Sequence, residues 1–266
     1  MKGRLCLFGG AAMILAAIVT ARGVAQFGAP PAEPPKSPRA SAPIDLTGYW
    51  VSIVTEDWRF RMMVPDKGDF ASVPLNPEGR RVANTWDPAK DKVDGNECRS
   101  YGAAGLMRVP GRLHISWEND AALRIDTDSG TQTRLLHFGG SEPSAITPTW
   151  QGYSAADWEG LRPGFLIAYM GQHAAAQSPE GYLKVVTTHM RPGYLRKNGV
   201  PYSGDAVLTE YFDSFTGLQN DRWLVIATIV TDPQYLFQSF ITSTHFKKLS
   251  DASGWDPTPC QADQPR

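Results

Sequence analysis

The residues best suited to chemistry fall within residues 181–212, where two strand-like runs flank a connection rich in glycine and proline. Strand side chains alternate between two faces, so His189 shares a face with the apolar residues that precede it. Glu210 lies between Leu208 and Phe212 in the same alternating pattern. A buried carboxylate on an apolar stripe must be paired or protonated. This predicts His189 and Glu210 as a pair that exchanges a proton with a bound molecule.

Two further side chains in this connection complete the predicted catalytic set. Tyr202 has a hydroxyl that can donate to a developing oxyanion, and Arg196 has a cation that can orient a carboxylate. Two structural alternatives stay open: His189 as a hydrogen-bonded residue at a barrel rim, and Glu210 in an ion pair with Arg196, Arg191 or His189. The predicted ligand-binding neighbours are Thr187, Tyr153, Trp150 and Phe212.

The spacing of histidine and cysteine residues does not indicate a metal site, because no two of them lie at a ligand-like distance in sequence. Phosphate-binding loops, nucleophile elbows and Cys-x-x-Cys motifs are absent from the sequence as well. His245 ends an alternating run, so it would point into a barrel if its face of the strand is the inner one. Haem ligated by His245 is therefore an alternative hypothesis, and no other cofactor is expected.

The elements that must position these residues are strands. From residue 106 onward, apolar and polar residues alternate in short runs that are separated by turns. One helix is predicted over residues 75–86, with Asn76 as its cap and Pro77 at its first position. The sequence lacks the alternation of strands and helices that is typical of α/β folds. The pattern predicts an all-β fold, an antiparallel meander closed into a lipocalin-like (calycin-type) β-barrel with one or two short helices.

The N-terminus has the pattern of an export signal. Lys2 and Arg4 precede an apolar run over residues 5–20, and Gly23-Val24-Ala25 offers a cleavage site. The alternative is a membrane anchor, but the run is short for a span of about 20 residues. We therefore expect a signal peptide (1–25), a disordered linker (26–43), a single β-barrel domain (44–260) and a tail (261–266). The mature protein is expected to be periplasmic or secreted, without membrane association.

Cysteine content and charge restrict the possible partners. Removal of the signal leaves Cys98 and Cys260, which in an exported protein predict a disulfide bond. The chain of 266 residues has a formal net charge of -1. A near-neutral chain has no electrostatic attraction to nucleic acid, so none is expected as a partner. The composition does not indicate an oligomeric state.

Three sequence blocks resemble a large group of exported bacterial proteins that have no assigned biochemistry. The resemblance covers about residues 44–260 and implies a lipocalin-like barrel, but it implies no catalytic residues. Distant members of the group often carry histidine at the positions of Tyr153 and Tyr202, so this chain departs from them there. If those positions are catalytic, the departure leaves tyrosine as the hydroxyl donor or changes the chemistry. The blocks are Pro148-Thr149-Trp150-x-Gly152-x-Ser154 with Trp158-Glu159-Gly160, Gly199-x-Pro201-x-Ser203 leading to Glu210, and Asp232-Pro233.

Together these patterns predict an exported barrel that binds a small apolar or aromatic molecule. The predicted activity is acid–base chemistry on that molecule, of the lyase, hydratase, isomerase or hydrolase type. A non-catalytic periplasmic carrier or sensor of hydrophobic small molecules is the alternative, because it needs the same aromatic lining without a converged catalytic set. A haem-binding barrel is the third hypothesis.

Overall fold

The computed structural model describes residues 36–139, 143, 145–160 and 181–263, which contain eleven strands and four short α-helices. The strands are β1 (Gly48–Ile53), β2 (Arg112–Asn119), β3 (Ala122–Thr127), β4 (Thr133–Phe138), β5 (Tyr153–Glu159), β6 (Tyr182–Thr188), β7 (Gly193–Arg196), β8 (Val200–Tyr202), β9 (Val207–Thr216), β10 (Arg222–Thr231) and β11 (Phe240–Lys248). The helices are α1 (Trp58–Met62), α2 (Pro77–Ala83), α3 (Pro88–Val93) and α4 (Ala103–Leu106), with 3-10 turns at Glu97–Tyr101 and Leu218–Asn220.

Nine of the strands close into a barrel in the order β1-β11-β10-β9-β6-β5-β4-β3-β2. The predicted closed barrel is confirmed, but the predicted antiparallel meander is only partly correct. Strand directions cannot alternate all the way around a ring of nine, so at least one neighbouring pair must be parallel. That pair is β4 and β5, and the other eight neighbouring pairs are antiparallel. The fold is therefore a mixed barrel, and its likeness to lipocalins remains a prediction.

The hairpin β7–β8 leaves the barrel and forms a separate two-stranded sheet. Because this hairpin is set aside, β6 pairs directly with β9, and Val185 lies opposite Glu210. The stretch predicted to hold the catalytic set is thus divided. Its ends belong to the barrel wall, and its middle belongs to a layer packed outside the wall.

Local signals place the start of α2 where the sequence predicts it. The Asn76 side chain accepts a hydrogen bond from the Gly79 amide at 2.8 Å, and Pro77 occupies the first turn. The helix ends at Ala83, three residues short of the predicted end at residue 86. The same cap chemistry starts α3, where the Asp87 side chain accepts from two amides. The described helices outnumber the one or two that the sequence predicts.

Side chains fill the inside of the barrel, as expected for a small barrel. Trp50 is fully buried and donates through its indole nitrogen to the Leu46 carbonyl at 2.9 Å. Alternate residues of each strand supply the rest of this core, which includes Ile115, Ile125, Leu136, Leu183, Val185, Phe212, Leu224, Ile226 and Phe246. These side chains make most of the described barrel interior apolar and closely packed.

A second apolar cluster lies over one end of the barrel. The starts of β9 and β11 and the end of β10 contribute Leu208, Phe240 and Val230 to it. The covering layer, which we call the cap, comprises residues 70–83, 103–104 and 190–206. The cap brings loop, helix and hairpin residues over the barrel end, where polar side chains from several segments can meet.

The predicted disulfide between Cys98 and Cys260 is present. The C-terminal segment is also held by its backbone, because the Thr258 amide donates to the Asp128 carbonyl at 2.9 Å. Trp255 packs edge-on against Tyr49. The bridge is therefore one of several contacts that hold this segment.

The predicted signal peptide and residues 26–35 of the predicted linker lie outside the described residues, as do residues 264–266 of the tail. Within residues 36–43, the Pro38 carbonyl accepts a hydrogen bond from the Trp158 indole at 2.9 Å. Arg39 also lies 3.7 Å from the Asp120 carboxylate. Among the described helices, none has the length and apolar character needed to cross a bilayer.

Candidate functional site

Glu210 lies inside the barrel, where it pairs with Arg134. The two Arg134 Nη atoms donate to the two Glu210 oxygens at 3.2 and 2.7 Å, and both side chains are fully buried. Arg134 also donates to Thr187 and Ser154 at 3.3 and 3.4 Å, and the two hydroxyls lie 2.8 Å apart. The expected partners of Glu210 were Arg196, Arg191 and His189, and this expectation is corrected. Glu210 belongs to a structural network in the barrel core.

His189 lies at the rim of the barrel, one residue beyond the end of β6. It is four residues beyond Val185, the register partner of Glu210, which corresponds to roughly 13 Å along a strand. His189 has a φ of 55°, so the strand direction breaks at this residue. Its Nδ1 lies 2.9 Å from the Thr188 hydroxyl. This position matches the rim alternative better than a proton-exchanging pair with Glu210.

The other two members of the predicted catalytic set, Tyr202 and Arg196, belong to the cap. Tyr202 is fully buried, and its hydroxyl is packed so closely against Gly102 and Gly193 that a side chain at either glycine would collide with it. Burial raises the pKa of the Tyr202 hydroxyl well above its ordinary value. Arg196 borders a separate small cavity. The structure therefore places Glu210, His189, Tyr202 and Arg196 in different environments.

The predicted ligand-binding residues are also separated. Thr187 belongs to the network inside the barrel, and Phe212 belongs to the apolar core. Tyr153 stacks on His137 on the outer face of β5, with ring centroids 5.0 Å apart. Trp150 lies under the Arg191 guanidinium at 4.0 Å. These four residues do not line one pocket.

His245 is on the outward face of β11. Its strand neighbours Thr244 and Phe246 are buried, whereas Ile241, which shares its face, is 67% exposed. The His245 Nδ1 lies 3.0 Å from a Glu56 carboxylate oxygen. A haem ligand inside the barrel would need the opposite orientation, so the haem hypothesis is not carried further. Within the described part of the chain, no cluster of three or more metal-ligating side chains occurs.

The arrangement best suited to binding is a small cavity of about 30 Å³ between α1, the segment after α4 and the β7–β8 hairpin. We call it the basic cavity, because three arginines and one lysine contribute to its wall. All four are at least nine-tenths buried, with exposures of 4% (Arg61), 6% (Arg108), 4% (Arg196) and 9% (Lys197). Its lining residues are Phe60, Arg61, Met63, Ser100, Gly105, Arg108, Val109, Pro110, Leu195, Arg196 and Lys197.

Two of these arginines are tied to acidic partners. Arg61 pairs with Glu56 and donates through Nε to the Arg108 carbonyl at 3.0 Å. Arg108 donates through Nη2 to Asp57 at 3.0 Å. Its other terminal nitrogen, Nη1, is buried without a hydrogen-bond partner in the described structure. Arg61 is thus neutralised locally, whereas Arg108 retains one unused donor.

Arg196 has the least complete set of partners. Nη1 donates to the Ala71 carbonyl at 2.6 Å, and the guanidinium lies 4.1 Å from the Phe60 ring centroid. Its Nε and Nη2 have no partner among the described residues. Burial and the nearby charge of Arg108 lower the Arg196 pKa to about 10, so it is still cationic at neutral pH. A planar cation with two unused donors is suited to a carboxylate or a similar anion.

Lys197 follows Arg196 directly and is also a lining residue of the cavity. Its Nζ lies 2.9 Å from the Tyr101 hydroxyl and 4.6 Å from the centre of the Tyr101 ring. Burial lowers the pKa of Lys197 to about 7 and raises the pKa of Tyr101 to about 12. At neutral pH the amine is therefore partly uncharged, next to a phenol that keeps its proton.

A wider cleft of about 530 Å³ lies beside the basic cavity. Pro110 lines both spaces, and Arg61 Nη2 donates to Ser52, a residue of the cleft, at 3.0 Å. The cleft has an apolar side formed by β1 and the end of α1. Its lining residues are Val51, Ser52, Ile53, Val54, Met62, Pro110, Gly111, Arg112, Asp128, Ser129, Asp256 and Thr258.

Sequence reasoning selected Arg196 and Glu210 as site residues but not the other buried charged residues. Arg134 had a usable signal, because it shares an alternating stripe with Leu136 and Phe138 just as Glu210 does with its apolar neighbours. Lys197 had only its position next to Arg196 as a signal. Arg61 and Arg108 lie in short helical or irregular segments where no periodicity marks a shared face.

Comparison of this chain with protein-family models, curated protein sequences and solved structures found no match. The predicted resemblance to exported bacterial barrels is therefore confirmed only as far as the closed nine-stranded barrel.

Proposed function

We propose that this protein binds a small organic anion whose charged group occupies the basic cavity beside Arg196 and Arg108. The observation that carries this proposal is three buried guanidinium nitrogens, Arg196 Nε and Nη2 and Arg108 Nη1, that have no partner among the described residues. Buried charged donors without partners are costly in free energy. A bound carboxylate would supply the missing acceptors through charge-assisted hydrogen bonds.

The volumes support a ligand with two parts. The basic cavity, at about 30 Å³, has room for an anionic group but not for a whole ligand, since ligand pockets usually measure about 300–1,000 Å³. The neighbouring cleft of about 530 Å³ is in that range and has an apolar side. Met63, which lines the basic cavity, is 60% exposed and marks its opening to the surface. We infer an apolar or aromatic body joined to a carboxylate or similar head group.

Binding, as by a carrier or sensor, has more support than acid–base catalysis by His189 and Glu210. Glu210 uses both of its oxygens to hold Arg134 in the barrel core. Binding needs only the unused donors and the apolar surface. The predicted export signal would place this binding in the periplasm or outside the cell.

Matched pairs of compounds test the proposal. Benzoate, phenylacetate and cyclohexanecarboxylate would be compared with their amides by thermal unfolding and isothermal titration calorimetry. A ligand that binds only the folded state stabilises it by about 2.7 kcal/mol at a hundred times its Kd. We expect at least one carboxylate to raise Tm and its amide, which has the same shape without the charge, to leave Tm unchanged. Equal stabilisation by acid and amide, or none at millimolar concentrations, would contradict the proposal.

Two arginine variants show where the anion binds. Arg196→Met removes the unused donors, and Arg191→Met removes an arginine stacked at nearly the same distance on an aromatic ring elsewhere, 4.0 Å above Trp150 compared with 4.1 Å above Phe60. We expect the Kd for the carboxylate to rise at least tenfold in Arg196→Met and to change less than twofold in Arg191→Met. An unchanged Kd in Arg196→Met would place the anion elsewhere and overturn the assignment.

A further inference from the structure

We propose that the charged group of the ligand is one planar carboxylate, held by Nε and Nη2 of Arg196, so that the ligand is a monocarboxylic acid. This inference rests on the proposed anion site and narrows its ligand class, because it disfavours sulfonates, phosphonates and dicarboxylates. It is carried by the unused edge of Arg196 and by the pairing of the charges around the basic cavity.

The guanidinium of Arg196 is held in a way that leaves one defined edge for a ligand. Nη1 donates to the Ala71 carbonyl at 2.6 Å, and the centre of the Phe60 ring lies 4.1 Å from the guanidinium carbon. Nε and Nη2 are buried without a partner among the described residues. These two nitrogens form one side of the planar group, so an N–H bond of each points in the same direction. Such an edge matches the two oxygens of a carboxylate in a pair of parallel hydrogen bonds.

Contacts with other wall residues place this guanidinium at the basic cavity. Phe60, which packs against Arg196, is itself a lining residue. Arg108 and Arg196 approach the same aromatic ring, with their guanidinium carbons 5.6 and 6.0 Å from the centre of Phe240. Burial and the nearby charge of Arg108 lower the pKa of Arg196. The unused donors of Arg196 and Nη1 of Arg108 therefore belong to one site.

The charges around the cavity leave a surplus that suits one carboxylate. The other two arginines of the wall form ion pairs with Glu56 and Asp57. Arg196 donates instead to a neutral carbonyl. Lys197 adds only part of a charge at neutral pH, because burial lowers its pKa to about 7 despite the opposing effect of Asp263. A monoanion would neutralise Arg196, whereas the two charges of a dicarboxylate or a fully ionised phosphonate would exceed this surplus.

Shape separates a carboxylate from a sulfonate, which also has one negative charge. A carboxylate is flat and has two oxygens, so both can lie in the plane of the Arg196 edge. A sulfonate has three oxygens around a tetrahedral centre, and the third projects out of that plane. The basic cavity measures about 30 Å³, compared with about 10–15 Å³ for a single water, so it has little room for the third oxygen.

Compounds that share one aromatic body test the inference on the wild-type protein. Benzoate would be compared with benzenesulfonate, phenylphosphonate and phthalate, and phenylacetate with phenylmethanesulfonate, benzylphosphonate and phenylmalonate, by isothermal titration calorimetry at pH 8. We expect a carboxylate to bind at least ten times more tightly than the other three anions with its body. Binding of any of these three within threefold of the carboxylate would overturn the inference and leave the anion site standing. Absence of binding by all eight compounds would overturn the proposed function, and the inference with it.

The variant Arg196→Lys shows whether the two-donor edge sets this preference. Lysine keeps the positive charge but has no rigid pair of parallel donors. We expect the Kd of the carboxylate to rise at least tenfold and that of the matching sulfonate to change less than threefold, so that the preference disappears. Arg191→Lys replaces the arginine that lies 4.0 Å from the centre of the Trp150 ring, and it should keep the wild-type preference. A preference retained in Arg196→Lys would overturn the assignment to Arg196.

Arginine Nε–H resonances report the proposed hydrogen bond directly. In ¹⁵N-labelled wild-type protein, saturation with the carboxylate should move one Nε–H proton resonance downfield, because a charge-assisted hydrogen bond deshields the proton. The corresponding amide should not cause this shift, and Arg196→Lys should lack the resonance. A shift that persists in Arg196→Lys would assign the bond to a different arginine and overturn the inference. The wild-type comparison of compounds decides the question even if this variant fails to fold.

Discussion

At the scale of single residues, the molecule is marked by charges held inside it with incomplete partners. Arg134 is matched by Glu210, whereas Nε and Nη2 of Arg196 have no hydrogen-bond partner among the described residues. Buried charges of this kind lower stability unless something neutralises them. The anion proposed for the basic cavity would provide this neutralisation.

The buried amine of Lys197 predicts how stability depends on pH. Its pKa is about 7 in the folded protein and about 10.5 when exposed, so the unfolded chain binds more protons between these values. The contribution of Lys197 to the free energy of unfolding should therefore rise with pH, by up to about 1.4 kcal/mol per pH unit. Below pH 7 the full cost of burying the ammonium remains.

Urea denaturation at several pH values between 6.5 and 10 measures this effect. Lys197→Met has no titrating group at this position, so its stability advantage over wild type should shrink as the pH rises. Lys92→Met, at an exposed position, serves as the control and should show a nearly constant difference. A constant difference for Lys197→Met would mean that the amine does not titrate in this range.

At the scale of elements, β4 and β9 are connected through the barrel core by one ion pair. Arg134 and Glu210 are 76 residues apart in sequence and fully buried, and Ser154 and Thr187 complete their network. The two hydroxyls also hydrogen bond to each other at 2.8 Å, so they remain satisfied when the ion pair is removed. The effects of replacing Arg134 and Glu210 on the free energy of unfolding should therefore not be additive.

Replacing one member of this pair should destabilise the protein far more than replacing both. Glu210→Gln leaves an uncompensated buried arginine and should cost about 3–5 kcal/mol of unfolding free energy. The double variant Arg134→Met with Glu210→Met leaves no buried charge and should recover most of this loss. Chemical denaturation of both variants gives the comparison. A cost below about 1 kcal/mol for Glu210→Gln would show that the pair is not buried as described.

At the scale of the whole molecule, the disulfide connects the 3-10 turn before α4 to the C-terminal segment across 162 residues. For a loop of this length, the chain-entropy model gives a stabilisation of about 4–5 kcal/mol. Because typical domains are stable by only about 5–15 kcal/mol, reduction should clearly lower the denaturation midpoint. The variant Cys98→Ser with Cys260→Ser should resemble the reduced protein and show no response to reductant. A midpoint unaffected by reduction of the wild type would contradict this prediction.

After reduction of the disulfide, the C-terminal segment should keep part of its resistance to proteolysis. Thr258 remains hydrogen bonded to Asp128, and Trp255 remains packed against Tyr49. These contacts hold the segment independently of the bridge.

Several features followed from the sequence because they depend on near neighbours in the chain. The cap of α2 needs only Asn76 and the amide three residues later. The alternation that buries Thr187, Glu210 and Phe212 is set by the two-residue period of a strand. The disulfide spans 162 residues and followed from composition instead, because only two cysteines remain after the predicted signal. The closed barrel was predicted from short alternating strands with few helix signals between them.

Tertiary structure alone decided what those residues meet. Alternation showed that Glu210 faces inward, but only strand order and register brought Arg134 to it. The count of nine strands, which requires a parallel pair, is a property of the closed ring and of no single segment. The basic cavity gathers Arg61, Arg108 and Arg196 from three segments without a common period. Partners distant in sequence depend on how the whole chain packs, and no local pattern encodes that.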